Sequence, residues 1–133
     1  MEFTRHKIRE YAFQTLFAIN ANDTTDKELF FHAISRTDEE TEIPSYYNTL
    51  VDGVIENKDS LDDSIISYLV SGWSINRIAK TDLAILRLAF FEIKYVDDVP
   101  TKVAINEALE LTKKYSDDHS RKFVNGVLSN TIA

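Results

Sequence analysis

Near the start of the chain Arg5, Lys7 and Arg9 gather positive charge within five positions, with His6 between them. At helical spacing, Arg5, Arg9, Phe13 and Phe17 form an i, i+4 ladder, with His6 and Gln14 further round the same helix. Cations beside aromatic rings suit single-stranded nucleic acid, because the cations meet phosphates and the rings stack on bases. An ordinary reading stands beside this one: Phe13 and Phe17 as the edge of the core, with the arginines in solvent. A second cluster lies about a hundred positions on, in "SRKFVNGVLSN". Arg121 and Lys122 sit at a helix start, where the dipole disfavours positive charge. Phe123 and Asn125 follow at once, a set suited to a phosphate and a base. Gly126 interrupts that helix at a cost of about 1 kcal/mol relative to Ala. It serves either close helix packing or backbone room for a ligand.

Residues for catalysis are harder to find. The chain has no cysteine, no Gly-rich phosphate loop, no HExxH pair and no nucleophile elbow. Its three histidines, His6, His32 and His119, have no ligand spacing. "DDH" at 117–119 reads better as acids at a helix N-terminus than as a metal site. Asp62 and Asp63 are adjacent and point differently on a helix, so they make no acid/base dyad. The expectation is a protein that is not an enzyme and needs no cofactor or metal.

The elements that position these residues are helical. Only three Gly and two Pro occur, and strand-like alternation is absent. Ile8, Ala12, Leu16 and Ile19 mark one stripe of a helix over 5–20 capped by Thr4. The stretch 21–42 carries seven acids against Lys27 and Arg36, with a short helix between acidic loops. Pro44 opens a third helix lined by Tyr47, Leu50, Val51, Val54 and Ile55. Ser60 is expected to cap a fourth, in which Leu61, Ile65, Tyr68 and Leu69 recur. Ser74 is expected to cap a short turn, and Thr81 an apolar helix from Asp82 to about Tyr95. Pro100 opens the next, whose polarity from Glu107 and Glu110 to Lys113 and Lys114 matches the dipole. The last runs from about Asp118 to Thr131. The prediction is an all-α chain of about seven helices in a single domain over 1–133.

The 133 residues suffice for a core without staples. A formal net charge of −7 argues against binding polyanions over the whole surface, but leaves room for a local basic site. No signal peptide or membrane-length apolar run is found, so a cytoplasmic location is expected.

The segments "ILRLAFFEI", "VPTKVAINEALELTKKY" and "RKFVNGVLSN", in this order, together with "RHKIREYAFQTLFA", resemble the NusB family of bacterial transcription antitermination factors. The likeness spans nearly the whole chain and is weakest over 21–60. It implies two packed helical sub-bundles, the first carrying the basic helix. It also implies binding of boxA RNA of ribosomal RNA leader transcripts together with NusE, a small-subunit ribosomal protein. The pair would join an antitermination complex on RNA polymerase, supporting complete transcription of ribosomal RNA operons. Carried over by position, the RNA side comprises Arg5, His6, Lys7, Arg9, Gln14, Phe17, Tyr68, Lys122, Phe123 and Asn125. Phe17 stands where the family often has Tyr, which keeps stacking and loses a hydroxyl. The NusE side comprises Asp82, Arg87 and Glu92, with a structural ion pair as the competing role for Arg87. His119 stands where the family can have an acid, which leaves its role open. Two alternatives accompany this reading. One is a NusB-like RNA-binding domain of a ribosomal RNA methyltransferase, disfavoured because no cofactor-binding region follows the last helix. The other is a protein-only helical homodimer.

Overall fold

The computed structural model describes residues 2–132. Among them are seven α-helices, two short 3-10 turns and no strand. The helices are α1 (Arg5–Ala21), α2 (Lys27–Ser35), α3 (Ser45–Glu56), α4 (Lys58–Ser67), α5 (Lys80–Tyr95), α6 (Thr101–Tyr115) and α7 (Asp118–Ser129). Two compact units result, one up to Gly53 and one from Val54. The expected all-α architecture of two sub-bundles is therefore present, with the basic helix in the first.

In the first unit, Thr4 caps α1 by accepting from the Lys7 amide, and Asp26 caps α2 by accepting from Glu28 and Leu29. Each cap satisfies a backbone donor that the first turn leaves without a partner. Phe31 of α2 is fully buried, and the rings of Phe3, Tyr11 and Tyr47 meet it edge-on at 5.6, 5.5 and 4.8 Å. Such edge-to-face contacts add to what burial alone contributes. A polar knot crosses this aromatic core. The Tyr47 hydroxyl donates to the Lys27 carbonyl at 2.7 Å and lies 2.7 Å from the Thr15 hydroxyl. Burial pushes the Tyr47 phenol up to about 12, so it remains a neutral donor. Lys27 and Asp52 tie α2 to α3 at 2.6 Å.

In the second unit α5 is the central helix, packed against α4 and α6, while α6 carries α7. Ala84, Ile85, Leu86, Leu88, Ala89, Phe90 and Phe91 of α5 are all buried, as its all-round apolarity predicts. Two expected caps fall elsewhere. α4 begins at Lys58, only one residue after α3, and the Asn57 carbonyl accepts from Leu61 at 2.8 Å. With no loop before it, Ser60 lies inside the helix, and its carbonyl accepts from Ser64 Oγ. α5 begins at Lys80 because the Ala79 carbonyl already accepts from Leu83, so Thr81 lies in the first turn. No helix among the described residues is long and apolar enough to cross a membrane.

Candidate nucleic-acid interface

Each unit contributes candidate residues, and the two sets differ in how their charges are held. On α1, Arg5 is exposed, with its guanidinium 4.0 Å from the centre of the Tyr46 ring. His6 is exposed and Gln14 half-buried. Lys7 pairs with Glu10 at 3.0 Å, and that hydrogen bond raises the ammonium above its usual range. Arg9 departs from expectation: it is only 4% exposed. So little of Arg9 is exposed that it offers a phosphate almost no surface, unlike Arg5 on the same face. Phe13 is buried and belongs to the core, as the ordinary reading of that ring had it. Phe17, 39% exposed, leans on Phe13 with ring centres 6.4 Å apart and keeps surface in solvent.

In the second unit, Tyr68, Lys122 and Phe123 line one cavity of about 680 Å³. Tyr68 ends α4 and stacks on buried Phe90 at 5.8 Å and 25°, which fixes its ring at the cavity wall. Lys122 and Phe123 come from the second turn of α7. Asn125 is exposed and lies outside the lining. Gly126 is on the lining, and a Cβ built there meets nothing within 4 Å. Of its two candidate roles, close helix packing is therefore absent and open space is what the position provides.

Sequence reasoning missed Trp73 and Arg77, which also line the cavity. Trp73 stacks on Phe123 with ring centres 6.0 Å apart and planes at 27°. It follows Gly72, whose φ of +92° lies in the region that favours glycine. The Ser-Gly dipeptide before it was the available signal for this turn.

The expected partner-binding residues are held inside the second unit. Asp82 is 4% exposed, and its carboxylate accepts from Ser120 Oγ at 2.8 Å and Ser116 Oγ at 3.4 Å. Burial raises its carboxyl above the usual range, against the opposing effect of those two hydrogen bonds. Asp117 caps α7 by accepting from the Ser120 amide at 2.8 Å. Ser120 is thus gripped at both its amide and its hydroxyl, which anchors the first turn of α7. Arg87 pairs with Asp62 through two hydrogen bonds of 2.7 and 2.9 Å, the structural role weighed for it. Glu92 is 1% exposed. Asp82 and Glu92 thus present almost no area at the surface. Among the described residues, no three or more His, Asp or Glu side chains come together as a metal site.

The model of the NusB family matches residues 6–133. The chain belongs to the NusB family. It is 57% identical to the transcription antitermination protein NusB of Lactiplantibacillus plantarum, over 99% of this chain and 96% of that protein. Its identity to the Enterococcus faecalis protein of the same name is 50%, covering 98% and 90%. Among solved structures it is similar to T. maritima NusB, with a TM-score of 0.82 at 33% identity, covering 98% of this chain and 91% of that one. It is also similar to a chain in the crystal structure of antitermination factors NusB and NusE in complex with double-stranded RNA. There the TM-score is 0.77 at 25% identity, with 96% of each chain covered.

Proposed function

We propose that this chain is a transcription antitermination factor that binds boxA-type RNA of ribosomal RNA leader transcripts together with NusE. It supports complete transcription of ribosomal RNA operons, acts in the cytoplasm as one NusB-like domain, and carries out no catalytic step. The observation that carries this reading is the family match over residues 6–133, joined to relatives named as NusB along nearly their whole length. The similar chain in the crystal structure with NusE and double-stranded RNA supports NusE and RNA as the two kinds of partner. The relatives matched along nearly their whole length are named as antitermination proteins, which supports that reading over a methyltransferase domain.

The direct contacts in this reading are Arg5, His6, Lys7, Gln14 and Phe17 on α1, and Tyr68, Lys122, Phe123 and Asn125 in the second unit. The cations bind phosphates and set register, while Phe17 and Phe123 stack bases. Asp82 anchors the helix that carries Lys122 and Phe123, and Arg87 is held by Asp62. Titration of labelled boxA-type RNA, with and without NusE, tests the function. Binding that weakens steeply with salt is expected, and no binding in either condition at modest salt overturns it.

A further inference from the structure

The cavity in the second unit has a wall that the assigned contacts do not use. Trp73, the only tryptophan of the chain, stacks on Phe123 at 27° yet keeps 46% of its surface exposed. It is held in place rather than loosely attached. The Trp73 amide donates to the Val70 carbonyl at 3.0 Å, Gly72 supplies the positive φ, and a 3-10 turn over Ile75–Arg77 follows. Buried Ile78 closes that turn against the unit. Two cations sit on the same lining, Arg77 from the turn and Lys122 from α7, and neither has an ion-pair partner among the described residues. The one carboxylate on the lining, Asp82, is turned to Ser116 and Ser120.

We propose that Trp73 and Phe123 form a continuous stacking wall for an unpaired nucleobase of single-stranded RNA, with Arg77 and Lys122 holding the phosphates that flank it. This rests on the RNA-binding reading above and adds Trp73 and Arg77 to its contacts. The cavity, at about 680 Å³, is within the range of small-ligand pockets and admits a base turned out of its strand. Stacked rings accept any base on a π face, so the wall provides affinity without strict sequence choice. The cations favour an anionic strand over an apolar peptide as occupant.

The test follows two signals in one titration of the full chain with a labelled boxA-type RNA. Anisotropy of the label reports binding, and Trp73 emission reports a base at the wall. Quenching of Trp73 in step with anisotropy is expected. Trp73→Ala should weaken binding about 5- to 150-fold, the equivalent of one stacked base, and Trp73→Phe should restore most of it. Arg77→Ala should lower the salt dependence by about one phosphate contact. Circular dichroism of each variant checks that the helices persist. If anisotropy rises while Trp73 emission stays unchanged and Trp73→Ala binds normally, the wall is wrong and RNA binding stands. An emission change with NusE alone and none with RNA also overturns the wall. No anisotropy change at all removes both readings.

Discussion

The two basic clusters look alike in sequence and differ in what their charges are doing. On α1, four basic or titratable side chains are crowded into five positions, but Arg9 is buried, Lys7 is bound to Glu10 and Arg5 lies over Tyr46. At the cavity of the second unit the cations are fewer, yet Lys122 and Arg77 face it without ion-pair partners among the described residues. The density of basic residues along a sequence therefore measures potential, not availability. A paired ammonium must give up its carboxylate before it binds a phosphate, so it yields less net affinity than an unpaired one. The cavity should then carry more binding energy per residue than α1.

The largest effect should come from the anchor beneath the cavity. Asp82→Lys places a cation where a buried carboxylate accepts two hydroxyls, and should cost roughly 3 kcal/mol of stability. Thermal unfolding would show a marked fall in Tm; an unchanged Tm together with loss of NusE binding would return Asp82 to the partner surface. Next, Phe123→Ala should weaken RNA binding by about 1–3 kcal/mol, while Lys7→Ala loses less because Glu10 already engages that charge. Parallel RNA titrations of the two variants decide this, and an equal or larger loss at Lys7 would break the comparison. Gly126→Ala should stabilise α7 by about 1 kcal/mol, since the methyl meets open space. If it also weakens RNA binding, that opening is part of the site; if binding is untouched, Gly126 is no more than a weak point in the helix.

The smallest effect is one of pH. Burial holds the Asp82 carboxyl above its ordinary value, so in the window between the two values the folded chain binds more protons than the unfolded one. Stability from this group therefore falls as pH rises through that window, and the full penalty is present at neutrality. Asp82→Asn should gain in Tm relative to the parent on going from acid to neutral pH. Asp117 is shifted the opposite way, by the Ser120 amide, but is present in both proteins and drops out of the difference. A Tm difference that does not vary with pH would contradict the assignment.

How much of this was legible in the sequence depends on whether a residue's neighbours are local. The helices followed from apolar residues at 3.6-residue spacing, Thr4 from the chemistry of caps, and the acids at 117–118 from the helix dipole. The junction of α3 and α4 was not legible, because one residue, Asn57, does the work of a loop. Arg5 and Arg9 share a helix face in sequence, yet only packing decides that one is exposed and the other buried. Asp82 reads as a charge at a helix start, and its partners Ser116 and Ser120 lie more than thirty positions away. Trp73 stands in a turn without periodicity, so its stacking on Phe123, fifty positions on, left no local trace beyond the glycine before it.

The central claim is that unpaired RNA is held at the cavity of the second unit. The most direct measurement is a titration of labelled boxA-type RNA against the parent chain and Phe123→Ala, each with and without NusE, at two salt concentrations. The account predicts salt-sensitive binding by the parent that tightens with NusE, and a loss of about 5- to 150-fold in Phe123→Ala under every condition. Equal affinity of the two proteins, with both still folded, would contradict it.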